Sequence, residues 1–186
     1  MSGTNPFSQL LATPQPAELG PGPRPGIMPE AELNRTLDEA LPRTKFSGQS
    51  QQLIRALILL WHDHLEAAHV IAQGVESADG AFVHGIVHRR EPDYQNAAYW
   101  FRRVGAHPAF AEIARRAGQI PGMQTGNEAG LVRDDKWDSL AFIAACESAA
   151  QRASSGFRNQ LLRQLQQIET EALLDWLCER TAMPQP

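Results

Sequence analysis

A chain of 186 residues, 42% of them hydrophobic, is long enough to fold as one domain around its own core. Its net charge of -4 argues against a general nucleic-acid binder, because affinity for phosphate backbones depends on clustered cationic side chains. The longest apolar run, residues 56–61, is far shorter than the roughly 20 residues of a membrane span. We therefore expect neither nucleic acid nor a membrane as a partner.

The cysteine content and the first residues bear on location. Cys146 and Cys178 are the only cysteines, which excludes both a disulfide framework and a paired-cysteine zinc site. The first residues lack the basic-then-apolar order of a secretory signal peptide. We expect a cytoplasmic protein with two inert thiols.

Proline dominates the start of the chain. Seven of the 13 prolines precede residue 30, where they fix an extended backbone that cannot continue a helix. Residues 1–30 are predicted to be a flexible, disordered tail, and residues 31–182 a folded domain. The stretch PFSQLL within the tail also allows a second interpretation, as a docking peptide for a partner.

Helical spacing begins after this segment. The stretch EAELNRTLDEAL predicts a short helix that Pro42 stops, and from Gln51 apolar residues at spacings of three and four predict a helix to Trp61. Asp63 and Glu66 have the spacing of a capping box, so the next helix is predicted to begin at Asp63. A further helix is expected from Ala81 to Arg90, with Ala81 and Gly85 forming a notch for a neighbouring helix.

The remaining elements also read as helices. Asp93 is predicted to cap a helix that Gly105 terminates, and Pro108 to open another that ends near Gly118. Residues 118–130 are predicted to be a loop, either a functional lid or a connector. Two antiparallel helices follow, from Asp135 or Lys136 to about 153 and over 157–179. The predicted fold is all-α, a single domain of about six to seven helices packed as antiparallel hairpins.

Two stretches resemble a known group of proteins. These are HGIVHRREPDYQNAAYWFRRVGAHP, beginning at His84, and WDSLAFIAACE, beginning at Trp137. Together they resemble small uncharacterised proteins from soil bacteria and fungi, over roughly residues 50–180. Ser139 stands where that group often has proline. The group has no established activity, so the resemblance implies relatives and no function. The stretch DYQNAAYWFRRV is also similar to the second helix of tetratricopeptide-type hairpins, although no repeat of fixed period occurs.

All six histidines lie between positions 62 and 107. His84 and His88 are four residues apart on one helix face, an arrangement that lets two imidazoles share a metal ion. His62, Glu66 and His69 form a second stripe if their helix extends back to His62. Facing stripes would make a site for zinc, iron or nickel. The candidate metal ligands are His69, His84, His88 and Glu66.

Other interpretations of the histidines stay open. They are also explained as helix-surface or hairpin-interface residues bonded to backbone and carboxylates, or as proton-transfer groups without a metal. The stretch HGIVH lacks the glutamate that zinc proteases carry between their histidines. No serine-nucleophile elbow or phosphate-binding glycine loop occurs in the sequence.

Four arginines flank the predicted hairpin turn, and guanidinium groups suit bidentate capture of carboxylates or phosphates. The alternative is intramolecular pairing with Glu91, with Asp93 and with the carboxyl ends of helices. Trp100 and Phe101 are assigned to the core by their spacing. The candidate anion or ligand site comprises His62, Arg89, Arg90, Tyr94, Tyr99, Arg102, Arg103 and His107.

Three functions follow from these residues. The first is a helical binding protein whose polar face, residues 62–107, takes a small anionic ligand or a partner peptide. The second is a metal-dependent, hydrolase-like enzyme with histidine ligands. The third is a structural subunit without a ligand, in which the tail or the last helix makes the contact. The sequence does not predict the oligomeric state.

Overall fold

The computed structural model describes residues 6–121, 123, 130–152 and 156–180. Within these ranges the chain forms eight α-helices, one more than the upper bound predicted, and a single hydrophobic cluster joins them. The predicted all-α, single-domain fold is confirmed. The helices are α1 (Glu30–Ala40), α2 (Gly48–Trp61), α3 (Leu65–Gln73), α4 (Ala78–Arg90), α5 (Tyr94–Val104), α6 (Ala109–Ala117), α7 (Ser139–Gln151) and α8 (Phe157–Glu179).

Local signals set several helix ends where the sequence predicts them. Asp93 caps α5 by accepting a hydrogen bond from the backbone N–H of Asn96, and Gly105 follows the helix with a positive φ of 63°. Helix α8 covers the predicted residues 157–179. Helix α7 begins later than predicted, at Ser139, because Asp138 caps it by accepting from the N–H of Ala141.

The predicted start of α3 at Asp63 is wrong. Asp63 has a left-handed backbone, with φ at 65°, and helix α3 begins only at Leu65. The Asp63 carboxylate accepts instead from the backbone N–H and guanidinium of Arg24 and from the guanidinium of Arg90. Charge-assisted hydrogen bonds from two guanidinium groups stabilise this carboxylate more than a single helix-cap hydrogen bond would. The break between α2 and α3 also removes the predicted stripe from His62 to His69.

Helix α4 is the centre of the domain. It begins at Ala78, earlier than predicted, because Ser77 accepts from the N–H of Gly80. Every residue from Asp79 to Arg90 is buried, and α2, α3 and α5 pack around the helix. The polar side chains of α4 therefore need partners inside the protein, since an unpaired polar group in the interior is costly.

The small-residue notch on α4 accepts α5. A Cβ atom added at Gly85 would lie 2.6 Å from Cδ2 of Phe101, so only glycine allows this ring so close to the helix. Phe101 also meets Phe82 edge-to-face at 5.2 Å between centroids. The notch thus holds α4 and α5 together, so α5 is the neighbouring helix that the sequence predicted there.

Over residues 6–29, the described part of the proline-rich segment, the chain forms no α-helix, as its prolines predict. Its described part packs on the domain: Phe7, Leu11 and Ala17 are buried in the common core. Arg163 on α8 donates to the carbonyl of Pro16, which fastens the segment further. The apolar residues Phe7 and Leu11 of the PFSQLL stretch are therefore buried against the chain's own helices.

A short hairpin precedes α7. Strands β1 (Val132–Arg133) and β2 (Lys136–Trp137) pair antiparallel, joined by Asp134 and Asp135, both with positive φ. A two-residue turn of this kind matches the twist of its strands. Residues 1–5 of the predicted tail, most of the predicted loop over 118–130 and the predicted domain end at 181–182 lie outside the described residues.

Among the helices described, none combines the length and the apolar character that crossing a membrane requires.

Candidate metal centre

Three histidines from two helices meet at one point. His84 and His88 lie on α4, and His69 lies on the neighbouring α3. Nε2 of His69 is 2.9 Å from Nε2 of His84. Each ring offers one nitrogen such that the three nitrogens lie within 4.8 Å of one another. The described residues contain no other group of three potential metal ligands.

Helix geometry positions the three rings. His84 and His88 are one helical turn apart, and their rings stack with centroids 4.7 Å apart. Packing of α3 on α4 then brings the edge of the His69 ring against both, at centroid distances of 4.7 and 4.8 Å. The pair on α4 is a local feature, whereas the third ring depends on tertiary packing.

Glu91 bridges two of the histidines. Its Oε1 lies 3.2 Å from Nδ1 of His69, and its Oε2 lies 3.2 Å from Nδ1 of His88. A carboxylate at Nδ1 holds a proton there and leaves the lone pair of the ring on Nε2. Glu91 therefore fixes the orientation of the two rings and presents their Nε2 atoms on the side away from the carboxylate.

Helix α5 forms a further wall of the cluster. The indole of Trp100 stacks on His84 with centroids 4.1 Å apart and planes 26° apart. The side-chain amide nitrogen of Asn96 lies 3.2 Å from Nε2 of His88. The guanidinium of Arg103 lies 5.4 Å from the Trp100 ring. Aromatic and polar groups of α5 thus contact both α4 histidines.

The cluster is buried at one end and open at the other. The side chain of His88 is 8% exposed, whereas those of His69 and Glu91 are 25% and 29% exposed. His84 lies deepest, beneath Trp100. Solvent or a small ligand therefore approaches along the edge formed by His69 and Glu91.

Burial keeps the inner imidazoles neutral. Burial, and then the neighbouring His88 and His69, lower the pKa of His84 to about 4. Burial also lowers the pKa of His88, although Glu91 acts in the opposite direction. Neutral imidazole is the form that binds metal ions, so both rings are in that form at pH 7.

One nitrogen of the cluster is unsatisfied. Nδ1 of His84 is buried and has no hydrogen-bond partner within the described part of the chain. Nε2 of His84 contacts His69, and within the described residues this is the one hydrogen-bond contact of the His84 ring. Buried polar atoms are nearly always paired, and exceptions concentrate where a structure serves something besides its own stability.

One residue of the predicted metal site, Glu66, lies elsewhere. Glu66 is exposed and takes no part in the cluster of His69, His84 and His88. The carboxylate next to those histidines is that of Glu91. Glu66 was predicted as a ligand because a helix continuous from His62 would place His62, Glu66 and His69 on one face. The chain breaks between α2 and α3, so His62 does not lie on the helix that carries Glu66 and His69.

His62 serves the N-terminal segment. Its Nδ1 accepts the backbone N–H of Met28 at 3.0 Å, and its Nε2 donates to the carbonyl of Leu10 at 2.8 Å. Burial lowers its pKa. His62 is therefore a buried, neutral link between the segment and the end of α2, with both ring nitrogens occupied.

The α4 arginines are sealed inside the protein. Arg89 makes a two-pronged ion pair with Glu169 on α8, with Nη1 at 3.1 Å from Oε1, and neither side chain is exposed. Arg90 bonds Asp63 at 2.6 Å and the carbonyls of Gly20 and Leu60. Intramolecular pairing is thus correct in kind. Of the predicted partners, Glu91 and Asp93 are wrong for these two arginines. A helix carboxyl end is correct for Arg90, since Leu60 lies in the last turn of α2.

The remaining candidates for an anion site do not converge. His107 is buried and donates from Nε2 to Asp79 at 2.8 Å, while Asp79 also accepts from Trp176. Tyr94 is partly buried, and burial raises its pKa. Only the remaining three of the eight predicted residues are exposed. These are Tyr99, Arg102 and Arg103.

Three residues that contact the histidines escaped the sequence analysis. Glu91 was treated as an arginine partner, although its position three residues after His88 places it on the same face. Trp100 was assigned to the core, yet it is only partly buried and covers His84. Asn96 carried no signal of its own, since its contact with His88 depends on the α4–α5 packing.

Comparison with protein-family models, curated proteins and solved structures gave no match to this chain. The resemblance described from the two sequence stretches therefore stays a prediction. Function has to be inferred from the geometry of the histidine cluster.

Proposed function

We propose that this protein binds a divalent transition-metal ion through His69, His84 and His88. The observation that carries the proposal is the convergence of three imidazoles whose ligand nitrogens lie within 4.8 Å of one another. Three imidazoles suit zinc, iron or nickel, whereas magnesium and calcium prefer oxygen ligands. The metal site joins α3 to α4, the two helices that supply the ligands.

The spacing of the nitrogens fits one ion. Zinc–nitrogen bonds are about 2.0–2.1 Å long, so two ligand nitrogens of a tetrahedral site lie about 3.3 Å apart. The Nε2 atoms of His69 and His84, at 2.9 Å, are slightly closer than this. The widest separation in the set, 4.8 Å, is larger. Bringing all three onto one centre therefore requires the widest pair of nitrogens to close by roughly 1.5 Å.

Glu91 has the role that carboxylates have beside metal-bound histidines. By bonding Nδ1 of His69 and of His88, it raises the basicity of the opposite nitrogens and fixes the ring planes. It also contributes one negative charge next to a divalent cation. Metal binding would therefore need little rearrangement of the carboxylate.

Three protein ligands leave a fourth coordination position. Catalytic zinc sites keep such a position, whereas structural sites fill all four with protein groups. In this cluster the open side is the edge lined by His69 and Glu91. A divalent ion there supplies Lewis-acid chemistry to a water molecule or a carbonyl group, so the activity we propose is hydrolysis of a small substrate.

One other interpretation is an outcome of the test. The 2.9 Å contact between His69 and His84 is also hydrogen-bond length, which favours a metal-free chain from His84 through His69 to Glu91. That chain would stabilise the α3–α4 interface alone. A protein with this role is the structural subunit that the sequence also allows.

Elemental analysis of the full-length chain, purified without a histidine tag, tests the proposal. We expect close to one zinc, iron or nickel ion per chain. The double variant His84→Ala/His88→Ala should contain none. His64→Gln is the matched control, because His64 bonds the carbonyl of Met28 and lies outside the cluster. It should keep the metal.

The contrary result is equally clear. If the native chain contains no metal, and added zinc, iron or nickel leaves its thermal unfolding unchanged, the metal proposal is overturned. Circular dichroism of the double variant separates loss of metal from loss of fold. A folded, metal-free double variant beside a metal-loaded His64→Gln chain supports the proposal.

A further inference from the structure

A single imidazole fastens both ends of the N-terminal segment, which comprises residues 6–29. Nε2 of His62 lies 2.8 Å from the carbonyl oxygen of Leu10, and Nδ1 lies 3.0 Å from the backbone nitrogen of Met28. His62 follows α2 directly and is only 3% exposed. The ring therefore joins the start and the end of the segment to the helical domain.

These two bonds require one protonation state of His62. A carbonyl oxygen only accepts, so Nε2 carries a hydrogen, and the N–H of Met28 only donates, so Nδ1 keeps its lone pair. An imidazolium carries a hydrogen on both nitrogens, and its Nδ1–H would point at the N–H of Met28. Protonation thus replaces a hydrogen bond with two opposed donors in a buried place, which is costly.

The groups around the ring also disfavour the imidazolium. Burial is the largest cause that lowers the pKa of His62, and Arg24 in the segment and His64 before α3 act in the same direction. The bond to the segment's carbonyl and the charge of Asp63 act in the opposite direction. Asp63, however, is already paired with Arg24 and with Arg90 of α4. The closed segment therefore holds His62 in its neutral form.

Other contacts of the segment lack this sensitivity to pH. Arg163 and Gln166 on α8 donate to carbonyl groups of the segment. Guanidinium and amide groups keep their hydrogens between neutral pH and about pH 5.5. His64 donates from Nε2 to the carbonyl of Met28, and an imidazolium donates there as well. The Nδ1 bond of His62 thus responds to mild acid in a way that these contacts do not.

We propose that the N-terminal segment is a pH-sensitive strap, which opens when the imidazole of His62 is protonated. Opening uncovers apolar surface, because Phe7 and Leu11 are 3% and 5% exposed in the closed segment and residues 8–11 contact α2. Apolar side chains released into water favour burial against another apolar surface. Mild acid thus exposes a face of α2 that the strap covers at neutral pH.

Hydrogen exchange of the full-length chain, followed by mass spectrometry and corrected for the intrinsic pH dependence of exchange, tests the proposal. In the open strap His62 takes up its proton near the ordinary histidine pKa of about 6.5. Lowering the pH from about 7.5 to about 5.5 should therefore raise the open population of residues 6–29 about tenfold. Circular dichroism should show unchanged helix content. Equal exchange of the strap at both pH values would overturn the proposal without any variant.

His62→Gln identifies the responsible group. The glutamine amide can donate to the Leu10 carbonyl but does not titrate in this range, so the tenfold rise should disappear. His64→Gln is the matched control, because it also removes a histidine that contacts the strap, and it should keep the rise. An equal rise in the native and His62→Gln chains, or loss of the rise in His64→Gln, would contradict the proposal. Either outcome leaves the metal site intact, since His62 lies outside the histidine cluster.

Discussion

Helix α4 carries two pairs of polar residues, His84 with His88 and Arg89 with Arg90. The two pairs differ in the partners that the fold gives them. Arg89 and Arg90 are fully buried, and each guanidinium meets a carboxylate with matching geometry. His84 and His88 are also buried, but Nδ1 of His84 is unpaired and the carboxylate beside His88, that of Glu91, is partly exposed. Nε of Arg89 also lacks a partner among the described residues, so the difference lies in charge: each buried guanidinium is paired with a carboxylate, whereas the buried imidazoles are neutral and can bind a metal ion.

The arginine pair has the structural role that its buried ion pairs imply. Removing one member of a fully buried ion pair leaves a charge without a partner, which costs more than the pair contributes. The histidines are different, because neutral imidazoles can exchange their hydrogen bonds for bonds to a metal ion. Each prediction below tests one side of this comparison.

The largest expected effect is on the arginine side. Arg89→Met should lower the free energy of unfolding by about 3–5 kcal/mol, because the Glu169 carboxylate is left buried and unpaired. The double variant Arg89→Met/Glu169→Leu should recover much of this loss. Urea denaturation measures both. A single variant as stable as the native chain would show that the pair is not structural.

The histidine side should respond to metal rather than to truncation alone. Zinc at 100 times its dissociation constant should raise the free energy of unfolding of the native chain by about 2.7 kcal/mol. His84→Ala/His88→Ala should show no such increase, since two ligands are gone. Thermal unfolding with and without zinc measures the difference. An equal increase in both chains would place the zinc elsewhere.

Glu91→Gln should weaken the site without emptying it. The amide keeps the shape of the side chain but loses the charge that orients His69 and His88. We expect metal affinity to fall by about 10–100-fold, as for other residues that orient metal ligands. Competition with a chelator measures it. Glu66→Gln, at an exposed position outside the cluster, is the control and should change nothing.

The smallest effect concerns pH. Burial lowers the pKa of His62, so the folded state disfavours its proton and the unfolded state binds it more readily. Its contribution is present above the ordinary histidine pKa of about 6.5 and is lost as the pH falls below that value. His62→Gln should reduce the slope of unfolding free energy against pH between 6.5 and 5, by up to about 1.4 kcal/mol per pH unit. Urea titrations at several pH values measure the slope, and an unchanged slope would contradict the assignment.

Elements with local signals were predictable from the sequence. The span of α8, the Asp93 cap and the α4 pair His84 and His88 depend on periodicity or on neighbours within one turn. The Asp63 cap failed because Arg24, 39 residues away, and Arg90 compete for the same carboxylate. A local pattern cannot register a partner that only the tertiary fold supplies.

The candidate site was predictable in part for the same reason. His69, His84 and His88 were named together because their helices were expected to pack, and the structure brings them together. Glu66 was chosen by extending a helix through residues that turn out to break it. Trp100 reads as a core residue in sequence, since the spacing that buries a ring is also the spacing that lays it on His84.

The contacts of the N-terminal segment with Asp63 and Arg90 fix the carboxyl end of α4. Asp63 binds Arg24 of the segment and Arg90, and Arg90 also takes the carbonyl of Gly20. Residue 91 follows directly in the chain. Gly20 and Arg24 thus hold the carboxyl end of α4, next to Glu91. A chain shortened to begin at residue 30 would lose these contacts and the apolar cover that Phe7 and Leu11 provide.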